Sequence, residues 1–175
     1  MLCGLLATVP PATVVSDDSD MTQGHPVRDV AVVGAGPAGL AAALALAHVG
    51  ADVALIGPAP PKTSARSLET RSAALLTSSV DLLKALNVWA ALSPHAAPLA
   101  AIRIIDASRS LFRAPDIEFK ASELGLPAFG YNIANTVLAE ALYARAQAVL
   151  PAVVAASVSG IALDRSNAVL TLSSG

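Results

Sequence analysis

The chain has 175 residues, enough for one domain with a sizeable core. Hydrophobic residues make up 54% and charged ones only 14%, a balance that excludes a disordered chain. Its 11 basic and 13 acidic residues are scattered, so no basic stripe follows a nucleic-acid backbone, and nucleic acid is not an expected partner. Residues 1–26 differ from the rest. MLCGLLATV is apolar but too short to span a bilayer, has no basic residue ahead of it, and runs into Pro10, Pro11 and the acidic SDDSD. A disordered N-terminal extension is the expectation, with Met21 an equally good start of translation. Cys3 is the single cysteine, and His25, His48 and His95 lack ligand spacing, so neither a disulfide nor a metal site is expected.

From Val27 to Gly175 the chain reads as one α/β domain, and Arg28 to Gly57 organises it. Val30 to Val33 is a short apolar run of the kind a central parallel strand shows. Gly34, Gly36 and Gly39 follow with the G-x-G-x-x-G spacing, which serves a tight turn, backbone approach to a pyrophosphate, and close helix-to-strand packing. Pro37 suits the first helical position, leaving the N–H groups of that turn free to face an anion. The helix then runs from Ala38 to Val49, with Leu40 and Leu44 on one stripe and the small Gly39 and Ala43 toward the sheet, and Gly50 ends it. Asp52 to Ile56 is the second strand. The whole stretch is a Rossmann-like βαβ unit, built for a dinucleotide along Gly34, Ala35, Gly36, Pro37, Ala38 and Gly39. The bland reading, in which the glycines only make a tight turn, is weakened by the strand before and the strand after.

Past Gly57, PAPPKTSARSLET has the composition of a loop crossing the nucleotide face. From Arg71 the pattern turns helical, with Leu75, Ser79, Leu82, Leu83 and Leu86 at three- and four-residue spacing and Asn87 in the left-handed closing position. Trp89 should pack just beyond. Ala101 to Asp106 and Ser110 to Arg113 read as paired strands that begin a second sheet, followed by a loop around Pro115 and Pro127. Tyr131 to Ile133 is extended, Asn135 to Leu150 is a helix burying Leu138, Leu142 and Val149, and Ser157 to Leu163 pairs with Ala168 to Leu172. No stretch is left to cross a membrane.

GAGPAGLAAALALAHVGADVALIG, ETRSAALLTSSVDLLKALNVWAAL and GYNIANTVLAEAL, in that order, resemble the N-terminal part of the flavin-dependent aromatic-ring hydroxylases of ubiquinone biosynthesis, relatives of p-hydroxybenzoate hydroxylase. The resemblance runs from Val27 to the last residue. It implies FAD on the glycine turn, NAD(P)H as co-substrate, and insertion of one oxygen atom from O₂ into a phenolic ring. It also implies that the second sheet is the start of a substrate sheet, and that the substrate is a small aromatic molecule, plain or prenylated. The setting is then cytoplasmic, at most peripheral to the inner face of a membrane. Arg71 matches the arginine that lies along the flavin nucleotide in such enzymes, a task suited to a fixed, always-charged fork. Asn135 falls at a second family position near the flavin, although asparagine before a helix is also a common N-cap.

The chain departs from that family in two places. Gly57 stands where a ribose-binding acid is usual. A glutamate there would offer acceptors to both ribose hydroxyls and is expected to tighten FAD binding by about one to two powers of ten, unless the backbone resists it. The family's later glycine-aspartate motif and most of its substrate sheet would lie beyond Gly175, so the domain reads as incomplete, no catalytic acid or base can be named, and activity is expected to need the remaining half or other biosynthesis proteins. The alternative function is a noncatalytic dinucleotide-binding module or a truncated, inactive product.

Overall fold

The computed structural model describes residues 12–15, 27–60, 71–108, 115–163 and 167–173. In chain order they form β1 (Ala12–Val15), β2 (Val27–Arg28), β3 (Val30–Val33), α1 (Pro37–His48), β4 (Val53–Ile56), β5 (Ser72–Leu76), α2 (Thr77–Ala85) and α3 (Trp89–Leu92). There follow β6 (Ala97–Pro98), β7 (Ala101–Ile104), β8 (Ile117–Lys120), β9 (Gly130–Ala134), α4 (Asn135–Val149), β10 (Ala152–Val154), β11 (Ser157–Leu163) and β12 (Ala168–Ser173). The chain divides into two compact units, residues 1–61 with 142–175 and residues 62–141.

The first unit holds the βαβ stretch. β3 and β4 run parallel in register, Val30 opposite Val53 and Val33 opposite Ile56, and α1 crosses between them and packs on both. Parallel neighbours need such a crossover, which explains the helix between two strands this short. β4, not β3, is the central strand. β10 adds on the far side of β4, Ala152 opposite Ala54 and Val154 opposite Ile56, giving the order β10-β4-β3. Val53, Ala54, Leu55 and Ile56 are accordingly all buried, whereas Val33 on β3 is 53% exposed. Sequence reading placed β3 at the centre because both runs are equally apolar, and it gave no role to Ala152–Val154.

Leu40, Ala43 and Leu44 close the core from the α1 side. At the amino end of the sheet, Arg28 Nη1 donates to both carboxylate oxygens of Asp52 at 2.9 and 3.1 Å, and Asp29 accepts the Asp52 N–H at 2.9 Å. These contacts hold the starts of β3 and β4 side by side. The expected hairpin is present as antiparallel β11 and β12, and β1 pairs parallel with β12 and antiparallel with β2. Ala12–Val15 thus form a strand where a disordered extension was expected; the rest of residues 1–26 lies outside the described residues.

In the second unit, β5 and β9 pair antiparallel, Ser72 opposite Ala134 and Leu76 opposite Gly130, and β6 joins the other edge of β9. Ser72–Leu76 were expected to be helical. They form a strand because Ala73 and Leu75 turn inward while their neighbours stay outside, and β9 supplies the ladder. The helix begins only at Thr77, and it ends as expected, with Asn87 at φ 58. Trp89 meets Tyr131 edge to face, ring centroids 5.2 Å apart. β7 pairs antiparallel with β8; the strand expected over 110–113 lies outside the described residues. α4 passes from one unit into the other, and Leu138, Leu142 and Ala146 form its buried stripe, continued by Leu150 just past its end. Val149, expected to be buried, is 40% exposed, since the stripe steps from Leu142 to Ala146 to Leu150 at four-residue spacing.

Candidate functional site

The site grows out of the carboxyl ends of β3 and β4. Gly34 donates its N–H to the Ile56 carbonyl at 2.7 Å, one step beyond the ladder, and the chain then turns at a Gly34 φ of 113°, a conformation that side chains rarely tolerate. Gly36 is extended and serves as the N-cap of α1 without a capping side chain, and Pro37 takes the first helical position. Leu40 N–H to Gly36 carbonyl, 2.9 Å, is the bond that starts the helix. Among the described residues, the N–H groups of Ala35, Gly36, Ala38 and Gly39 find no protein acceptor. They gather at the positive end of the α1 dipole, which favours an anion.

Each glycine of the turn has its own reason. A Cβ on Gly36 would meet nothing within 4 Å, so the space in front of the turn is open. A Cβ on Gly39 would run into the Gly34 carbonyl oxygen, so the helix approaches the turn at a distance only glycine permits. An open front lined by unsatisfied N–H groups and backed by a close-packed helix fits a diphosphate. The residues present therefore suit the phosphate portion of a dinucleotide.

Gly57 corrects the expectation attached to it. It is buried, its N–H donates to the Val154 carbonyl at 2.9 Å, and a Cβ there would lie 2.5 Å from the Ala35 nitrogen and 3.0 Å from the Ala35 Cβ. Its φ lies outside the left-handed region, so space, not backbone strain, is what a side chain lacks. A glutamate would push against the glycine turn itself, so the packing argues against the anticipated gain in affinity. Nothing in residues 27–60 announces this, because the packing depends on how the turn folds back over the end of β4 and on β10.

Arg71 and Asn135 belong to the other unit. Arg71 is exposed and precedes a strand, not a helix as the periodicity had implied. Asn135 opens α4, and its N–H donates to the Arg71 carbonyl at 3.1 Å, directly beside the Ser72–Ala134 pair. Two positions sixty-odd residues apart are thus adjacent, which no local pattern announces. No cluster of metal-ligating side chains occurs among the described residues, and no helix there is long and apolar enough to cross a membrane.

Residues 28–158 match the FAD binding domain family. The chain is 35% identical over 118 residues to the 3-demethoxyubiquinol 3-hydroxylase of Escherichia coli, covering 66% of this chain and 29% of that protein. It is 30% identical over 148 residues to the ubiquinone hydroxylase UbiL of Rhodospirillum rubrum, covering 83% and 32%. The chain thus spans less than a third of the length of these relatives. Among solved structures, the flavin-dependent monooxygenase PieE in complex with FAD and substrate superposes with a TM-score of 0.56 at 18% identity, covering 83% of this chain and 29% of that one. The p-nitrophenol 4-monooxygenase PnpA from Pseudomonas putida gives 0.56 at 13% identity, covering 81% and 38%. At such identities the superpositions speak for the fold alone. The family match extends over most of the chain and includes the whole glycine turn, and on that ground this protein belongs to the FAD binding domain family, with similarity to ubiquinone-type hydroxylases over part of their length.

Proposed function

We propose that this chain binds FAD through Gly34, Ala35, Gly36, Pro37, Ala38 and Gly39, with Arg71 along the nucleotide, as the flavin-holding part of a hydroxylase acting on a phenolic ring. The observation that carries the reading is the open space before Gly36, faced by N–H groups that no described residue satisfies. Hydrogen bonds from such groups to charged oxygens contribute about 1.5–3 kcal/mol each, enough to anchor a pyrophosphate without any side chain. The bound flavin, reduced by NAD(P)H, supplies the means to place one oxygen atom of O₂ on the ring.

The chain's own contribution is holding and orientation. Its turn fixes the phosphates against the end of α1, and the guanidinium of Arg71 adds a charge to the nucleotide. The relatives are named for ubiquinol and ubiquinone hydroxylation, which supports an aromatic substrate bearing a prenyl chain. Hydroxylation needs an enclosure that excludes water around the flavin. The 175 residues alone are therefore expected to bind FAD and to leave a phenolic substrate unchanged in the presence of NADH or NADPH. Purified protein should be yellow and release FAD on denaturation. A colourless protein that takes up no FAD would contradict the binding role, and hydroxylated product from the 175 residues alone would contradict the division of labour.

A further inference from the structure

A dinucleotide site of this architecture ordinarily places a carboxylate at the end of the second strand, about twenty residues past the glycine turn, where it accepts hydrogen bonds from the adenosine ribose and repels a phosphate on the 2′-oxygen. Here that position is Gly57, and the space a side chain would need is filled by Ala35. Pro58, Ala59 and Pro60 follow, none of them acidic. Among the described residues of the unit that carries the turn, no other carboxylate takes its place. Asp29 and Asp52 are the only acids among them, and both lie at the amino ends of β3 and β4. Asp52 is paired with Arg28 and Asp29 accepts the Asp52 N–H, so both are engaged at the end of the sheet opposite the turn.

We propose that the adenosine end of this nucleotide site accepts a 2′-phosphorylated ribose as readily as an unmodified one, so that its ligand class includes 2′-phospho-ADP-ribosyl compounds. The inference rests on the reading that the glycine turn holds a dinucleotide, and it adds that the glycine at position 57 removes the charge that would select between the two riboses. The turn supplies affinity for the diphosphate common to both.

The test is competition on the full 175-residue chain, with ADP-ribose and 2′-phospho-ADP-ribose each displacing FAD as followed by flavin fluorescence. The 2′-phosphorylated compound is expected to compete at least as well as ADP-ribose, within about threefold, whereas a facing carboxylate would weaken it by about tenfold or more. Competition weaker by more than about threefold would overturn the proposal while leaving FAD binding intact. Failure of both compounds to compete against bound FAD would overturn it too, by showing that the turn does not hold the adenosine half. Absence of FAD binding altogether would defeat the underlying reading, and the proposal with it.

Discussion

The glycine turn and the β7–β8 ribbon are both short, and both belong to units of modest size, yet they are built on opposite terms. Around the turn every strand residue of β4 is buried, and Leu40, Ala43 and Leu44 close over them, so this part completes its own core. In the ribbon, Ile102 faces Phe119 and Ile104 faces Ile117 across the pair, which puts four large apolar side chains on one side, and all four are exposed. The opposite side carries Arg103, paired with Asp116, and Lys120, paired with Glu118. A lone two-stranded ribbon is marginal in water. The contrast teaches that the part carrying the glycine turn closes a core of its own while the β7–β8 ribbon is held mainly by its strand pairing.

That difference is open to direct attack. Leu55→Ala removes a fully buried side chain from the centre of β4 and is expected to cost about 2–5 kcal/mol, read as a lower midpoint in urea unfolding. A loss under about 1 kcal/mol would mean that the parallel sheet is not the stabilising core.

What could be read in advance follows the same division. The turn was legible because its requirements are local: Gly34, Gly36 and Gly39 each answer a constraint set within six residues, and the strand and helix on either side carry their own patterns. Ser72–Leu76 were not legible, since Leu75, Ser79, Leu82, Leu83 and Leu86 continue a helical spacing and only β9, far along the chain, makes those five residues a strand. The centre of the sheet was misplaced for a related reason. Ala152–Val154 is too short to stand out, and without it β3 and β4 look equivalent. The crowding at Gly57 depends on Ala35 coming back over the strand end, a consequence of the folded turn that spacing alone does not express.

Gly57→Glu probes that crowding next. Overpacking against the Ala35 nitrogen should cost about 1–3 kcal/mol and weaken FAD binding by about tenfold or more, checked by thermal unfolding and flavin titration. Tighter binding in this variant would show that the turn can yield and that the ribose position lies where the acid is usual. The smallest effect belongs to the ribbon. Ile104 is 57% exposed, so Ile104→Ser should alter stability by no more than about 0.5 kcal/mol and leave FAD affinity unchanged. A larger loss of stability would mean that the ribbon's apolar side contributes to the chain's own core.

The central claim is that main-chain N–H groups around an open glycine turn hold the pyrophosphate, and Gly36→Val tests it most directly. The substitution fills the space before the turn, where a Cβ meets no protein atom, and so should not disturb the fold. Titrating FAD into both proteins by flavin fluorescence, with circular dichroism as the control for helix content, is expected to show binding by the natural chain and a loss of about a hundredfold or more in the variant at unchanged helicity. Equal FAD retention by the folded valine variant would contradict the account.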